Sequence, residues 1–271
     1  MGDGRLDATG DGVTSRSHEI DRVAGVLRVG RPTTEWLHTG WNGGRTTADA
    51  AYNVTVPTDW NPSDIHTWVS DQLATAGFDE PGPVLLTGVS MAHVRGARYS
   101  PVTVYATAGV SNPAALPMDP PDVSRSDEPT VDDASGDGEA DGGTGAGNTP
   151  SGVGTVNLLI LVDRTLGDGA LANLLAVAAE AKAATLLDRT GFPGTTTDAV
   201  TVGHDPTGEP IPYSGSATSV GGATRACVRD ALTASLRSRY GQSDNELPRS
   251  VDEAEHGVST DARADVFEID P

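Results

Sequence analysis

Of the 18 basic residues in this 271-residue chain only one is a lysine, Lys182, and it stands two residues after Glu180 in the least polar helix-forming stretch. Residues 170–187 read ALANLLAVAAEAKAATLL, where Asn173, Glu180, Lys182 and Thr185 are the only polar members. A helix apolar on nearly every side belongs inside a protein, and an ionisable group there is costly unless paired or put to use. At about 100° per residue, Asn173 and Glu180 share a face, while Lys182 points about 200° away from Glu180. The two charges therefore cannot pair with each other; each needs a partner from another element or an opening onto a cavity. A lysine so placed serves as a base where burial lowers its pKa, or as a fixed cation beside a developing oxyanion. The bland reading has Lys182 reaching to solvent along its apolar stem and Glu180 capping a neighbouring loop.

Five short polar, small-residue segments stand at the ends of predicted elements: HTGWNGG (38–44), TAGVSN (107–112), GTVN (154–157), GTTTD (194–198) and YSG (213–215), the last leading to Gly221-Gly222. They contribute Asn42, Gly43, Gly44, Thr107, Ser111, Asn112, Asn157, Thr195, Thr197, Asp198 and Tyr213. Glycine lets backbone N–H groups approach a ligand, and Asn and Thr offer neutral donors and acceptors, a lining suited to a ligand rich in amides rather than to a phosphate. Any one segment alone reads as an ordinary turn. The chain has no GxSxG elbow, no HExxH and no Walker A sequence. Its six histidines show no ligand spacing, so no metal is expected; Asp163, Asp198 and Glu180 are the only group that suggests an oxygen site for a hard cation. His93 reads as a structural strand histidine before a base, and Cys227 as core before a nucleophile.

Composition limits what such a site serves. With 38 acidic residues the formal net charge is −20, which suits a salt-rich cytoplasm where screening tolerates like-charge crowding. The acids concentrate in residues 119–152 and 242–271, leaving the body mildly acidic and without the basic stripe that nucleic acid would require. Residues 1–18 read as a flexible polar leader without a signal peptide, 119–152 as a disordered acidic insert, and 242–271 as an acidic flexible tail in which 266–269 alone offers something to dock. The domain spans 19–241, roughly 190 residues once the insert is removed, enough for one core. The longest plainly apolar run, 158–162, is too short to span a bilayer, charges interrupt the alanine-rich helix, and one cysteine excludes an internal disulfide framework. A cytoplasmic protein is expected, with no membrane partner.

The elements that must position these residues mix strands and helices. Strands are predicted over 19–29, 34–38, 84–87, 93–100, 101–110, 156–162 and 199–203; helices over 63–77, 170–190 and 220–240. Residues 156–162 are apolar on both faces, as a central strand requires. This predicts a single-domain α+β layered sandwich with a mixed sheet. Because the insert joins two adjacent strands, its ends are close together, and Asn112 and Asn157 are predicted neighbours.

In the order NGG, TAGVSN, GTVN, EAK (180–182), GTTTD and YSG the chain resembles the adenosylcobinamide amidohydrolase (CbiZ) family, across nearly all of residues 19–240. The acidic insert and tail depart from that pattern but fall outside the motifs. The resemblance implies hydrolysis of the amide joining the aminopropanol arm to the corrin ring of adenosylcobinamide. The products are adenosylcobyric acid and 1-amino-2-propanol, within cobamide salvage, and no cofactor is implied. A corrinoid rim of carboxamides suits the neutral segments, and Trp36 or Trp41 suits the ring face. Amide hydrolysis needs an activated nucleophile, oxyanion donors and a proton for the amine. Glu180 is expected to activate water and return the proton. Lys182, or an amide beside Asn112 or Asn157, is expected to hold the oxyanion, with Ser111 or Thr197 as nucleophile in a covalent variant. A corrinoid-binding module without catalysis, or an amidohydrolase for another amide, are the competing readings.

Overall fold

The computed structural model describes residues 18–58, 60–120, 154–241, 247–254 and 256–269. Nearly all of the leader and of the acidic insert lies outside these residues. Strand β1 (Glu19–Val23) turns through Ala24 and Gly25 into β2 (Val26–His38), so the run expected as one strand over 19–29 is a hairpin. Strand β3 (Gly44–Thr55) follows, then helix α1 (Ile65–Thr75), β4 (Val84–Thr87), β5 (Arg95–Tyr99), β6 (Val102–Ala108) and β7 (Pro113–Ala115). After the insert come β8 (Val156–Val162), β9 (Thr165–Leu166), α2 (Asp168–Thr190), β10 (Gly194–Thr195), β11 (Ala199–His204), β12 (Pro210–Ile211), α3 (Ser219–Tyr240) and β13 (Val258–Ser259). Helix α1 is capped by Asp64 rather than Ser63, its carboxylate accepting the His66 amide. Helix α2 ends where Gly191 takes the left-handed conformation that a C-cap favours.

One mixed sheet runs β4-β3-β2-β11-β8-β6-β5, with β1 beside β2. A register shift between Gly30 and Thr34 bends β2, so its first half pairs with β1 and its second half with β11. The bend folds the sheet back on itself. Strands distant in hydrogen-bond order then face each other: Asn53 of β3 bonds Thr107 of β6 at 3.0 Å, and Asn157 of β8 bonds the Leu86 carbonyl of β4 at 3.0 Å. Buried Arg31 braces the corner, its guanidinium bonding Thr34, the Val162 carbonyl and Asp163. Four layers result: α2 with α3, the leaf β11-β8-β6-β5, the folded-back leaf of β1, β3 and β4, and α1. The α+β layered sandwich with a mixed sheet is what the sequence predicts.

Strand β8 (VNLLILV) is buried at every position. Val156, Leu158, Ile160 and Val162 face α2 and α3; Leu159 and Leu161 face Trp36, Leu27, Val29 and Leu85 between the leaves. Burying Leu158, Leu159, Ile160 and Leu161 contributes roughly 6–12 kcal/mol gross, before chain entropy is subtracted. Helix α2 is long and apolar enough to cross a membrane, yet its Leu171, Leu174, Val177, Ala178 and Leu186 are buried in the helix-side core. Cys227 is likewise core.

Part of the described tail carries secondary structure. Strand β13 pairs in parallel with β7, which also pairs with β10, making a small second sheet. Val266, Phe267 and Ile269, expected as the part that docks, are instead exposed.

Candidate active site

Strands β8 and β11 run parallel, with Asn157 opposite Ala199. Their shared N-terminal end, the end of β6 at Ala108 and the end of β2 at His38 therefore form one edge of the leaf. Four of the five polar segments gather there. Thr39 exchanges both backbone-side hydrogen bonds with Val200, its amide donating to the Val200 carbonyl and its hydroxyl accepting the Val200 amide. That anchors the 39–44 loop, with exposed Asn42, Gly43 and Gly44, beside the 194–198 loop. The Thr196 amide donates to the Asn112 carbonyl at 3.2 Å, and the buried Asn112 side chain donates to the Thr196 hydroxyl. The Ser111 hydroxyl accepts the Gly154 amide at 2.6 Å, which closes the base of the insert. Gly109 and Gly154 lie backbone against backbone; a Cβ on Gly154 would come within 2.6 Å of the Gly109 carbonyl carbon. Only glycine permits that approach.

At the centre is an ion pair between the Lys182 ammonium and Asp198, whose side chains are 13% and 9% exposed. Asp198 is saturated. One oxygen accepts the Val156 amide at 2.9 Å and the Thr195 hydroxyl; the other accepts the Thr195 amide at 3.0 Å and Lys182. Four donors fill the roughly four acceptor sites of a carboxylate, leaving none to draw a proton from water. Asp198 is a positioning residue. Lys182 differs: an ammonium carries three protons, and Asp198 is its one hydrogen-bond partner among the described residues. Two N–H directions remain for an incoming carbonyl oxygen. Close by in sequence and contact, the buried side-chain oxygens Asn112 Oδ1 and Thr197 Oγ1 have no hydrogen-bond partner among the described residues.

The other face of the same strands carries a second polar group. Asn157 donates to Asn53 Oδ1 at 2.9 Å, Asn53 donates to the Thr107 hydroxyl at 3.0 Å, and the Thr155 hydroxyl bonds Thr87. All five side chains are buried between the leaves. The segment 155–157 divides the two groups: Thr155 and Asn157 face the inter-leaf side, and the Val156 amide holds Asp198.

Two expected site residues stand elsewhere. Glu180 is 64% exposed and lies 3.6 Å from Arg225 of α3. The expectation of a buried carboxylate is corrected. Because the leaf covers one side of α2 and α3 another, the helix is apolar for two neighbours, and the strip between them is open to water. Tyr213 is 75% exposed at the opposite end of β8, beside a cavity of about 650 Å³ lined by Asp168, Asn173, Ser214 and Thr218. It follows β12, which pairs with β9 just beyond the C-terminal end of β8. Asn173, nine residues before Lys182, bonds Ser214 there, about 13 Å down the helix axis from the lysine.

Asp163, Asp198 and Glu180 do not converge, since Asp163 pairs with Arg31 at the C-terminal end of β8. Among the described residues no group of three His, Cys, Asp or Glu could hold a metal ion. His93 sits in a short 3₁₀ turn with Nδ1 3.1 Å from Ser238 Oγ; burial, Arg239 and Arg95 hold its pKa below the usual imidazole value. Sequence reasoning missed Asn53, Thr87 and Thr201. An asparagine in the otherwise apolar run AAYNV was the available signal for the first.

The adenosylcobinamide amidohydrolase family matches residues 11–244 of the chain. An adenosylcobinamide amidohydrolase of Halobacterium salinarum is 55% identical over 245 residues, covering 90% of this chain and 96% of that protein. An adenosylcobinamide amidohydrolase of Methanosarcina mazei is 26% identical over 215 residues, covering 76% of this chain and 91% of that protein. No solved structure matches the chain.

Proposed function

The chain belongs to the adenosylcobinamide amidohydrolase family, and from that premise we propose that it cleaves the amide joining the aminopropanol arm of adenosylcobinamide to the corrin ring. Water adds to the carbonyl carbon, the C–N bond breaks, and the products are adenosylcobyric acid and 1-amino-2-propanol, a step of cobamide salvage. The observation that carries the reading is Lys182: a cation fixed by a saturated carboxylate, with two N–H groups open, at a sheet edge lined by neutral side chains. A negative charge develops on the carbonyl oxygen in the tetrahedral transition state, and a pre-positioned ammonium stabilises it without reorganising. Asn112 and Thr197 supply neutral hydrogen-bonding atoms suited to the carboxamides of a corrin rim. The Ser111 hydroxyl bonds only the Gly154 amide among the described residues, with no imidazole or carboxylate to take its proton, which supports water as nucleophile.

The acid-rich composition and the likeness to a Halobacterium salinarum protein support a salt-adapted, cytoplasmic enzyme. The test is incubation with adenosylcobinamide in molar salt, followed by mass analysis of the corrinoid. Loss of aminopropanol supports hydrolysis; tight binding of an intact corrinoid supports a binding module instead, and cleavage of unrelated amides a broader amidohydrolase.

A further inference from the structure

Between the two leaves, three buried polar atoms near this edge have no hydrogen-bond partner among the described residues: His38 Nδ1, Thr201 Oγ1 and Asn157 Oδ1. Their residues are 7%, 0% and 1% exposed. Leaving such atoms unpaired costs about 1–3 kcal/mol each, so a shared lack in one place asks for a ligand.

Placement brings them together. His38 of β2 lies directly opposite Thr201 of β11, and alternation puts both on the Trp36 and Ala199 face. Directly opposed side chains have Cβ atoms about 5 Å apart. Asn157 lies on β8 across from Ala199, one diagonal step from Thr201 and on the same face. Its amide nitrogen is committed to Asn53 Oδ1 and the Leu86 carbonyl, which fixes the orientation and leaves the oxygen as a pure acceptor. Burial holds the His38 imidazole below its usual pKa, so it stays neutral and one ring nitrogen can accept. The loop that follows His38 packs on β4 beside these residues: a Cβ on Gly40 would meet the Val84 carbonyl at 2.7 Å, and Trp41 bridges to Val84.

We propose that His38, Thr201 and Asn157 form the subsite for the amine side of the substrate, binding a short amino alcohol through its N–H groups and its hydroxyl. With His38 in the tautomer that leaves Nδ1 bare, two acceptors and one hydroxyl complement a group that brings an N–H donor and an O–H. A carboxylate, which only accepts, would find one donor among them. The inference rests on the amide-hydrolase reading above and adds which end of the scissile bond enters between the leaves.

The experiment has two independent arms on the full chain in molar salt. In the first, calorimetry measures binding of 1-amino-2-propanol and of propylamine, with no turnover needed. The unmodified protein is expected to bind the amino alcohol more tightly by about 10- to 100-fold, the value of leaving one buried polar group unpaired. Thr201→Val brings the ratio near one, and Thr201→Ser restores it; His38→Gln weakens both amines. In the second, cleavage of adenosylcobinamide is compared with that of its hydroxyl-free propylamide analogue. Thr201→Val is expected to lose the preference while still cleaving. Equal binding of both amines by the unmodified protein, or a preference unchanged in folded Thr201→Val, overturns the subsite even if adenosylcobinamide is cleaved. Absence of cleavage with Thr201-dependent amine binding overturns the reaction and leaves the subsite standing.

Discussion

Lys182 reaches from the buried side of α2 to Asp198, sixteen residues on, and takes one of four hydrogen bonds that saturate that carboxylate. Neither residue is explained by its own element. The lysine is anomalous in an apolar helix until the 194–198 loop supplies its counter-charge, and the aspartate gives up its remaining lone pairs to hold that loop closed.

Lys182→Met keeps the apolar stem and removes the charge. We expect kcat for corrinoid cleavage to fall by about 10²–10³-fold, the cost of one lost oxyanion donor, with substrate affinity changed much less. A single-turnover assay beside circular dichroism checks it; near-normal turnover in a folded variant would remove Lys182 from the chemistry.

Asp198→Asn leaves the ammonium without its counter-ion and substitutes a donor where four donors converge. Breaking a buried pair from one side is expected to cost about 3 kcal/mol, read from urea midpoints at fixed salt. Activity should fall with stability, whereas a variant as stable as the parent would show that the pair holds nothing.

Gly194→Ala tests geometry without touching a charge. Its Cβ would stand 2.7 Å from Asp198 Oδ2 and 3.1 Å from Lys182 Nζ, so the Asp198 carboxylate must shift and carry the lysine paired with it. A displacement near 1 Å is worth about 10²-fold in rate, and kcat should drop while KM stays close to the parent value.

Glu180→Gln should leave turnover within about twofold and stability within about 0.5 kcal/mol, as expected for an exposed ion pair in high salt. Loss of activity beyond tenfold would return Glu180 to the mechanism.

His38 and His204 are both held below the usual imidazole pKa of 6.5, chiefly by burial, His204 despite Glu35 at 3.4 Å. The unfolded chain then binds more protons than the folded one below pH 6.5. Their contribution to stability is complete above that value and is lost as pH falls towards the depressed folded values. Urea midpoints should decline between pH 7 and 5 at constant salt, and the double substitution His38→Gln with His204→Gln should flatten that limb.

Much of this was legible in the residues alone. Apolarity on both faces marks 156–162 as a central strand, Gly191 and Pro193 end α2, and the insert does lie between neighbouring strands β6 and β8. The expected pairing of Asn112 with Asn157 is corrected: Thr107 stands opposite Asn157, and Asn112 bonds Thr196 beyond the strand end. The polar segments at 39–44, 107–112, 154–157 and 194–198 do share one edge, because each ends or begins a strand of one leaf and strand ends are collinear. Helical periodicity also separates Glu180 from Lys182 by about 200°.

What periodicity cannot fix is which of those two directions is buried. That depends on where α3 lies against α2, a contact between residues far apart in sequence, and it sent Lys182 inward and Glu180 to solvent. The fold-back of β2 is equally silent in the sequence. Only the bend between Gly30 and Thr34 brings Asn53 over Thr107 and encloses His38, Thr201 and Asn157 between two leaves. Alternation in a strand names a face; the neighbour that covers it is chosen by the whole chain.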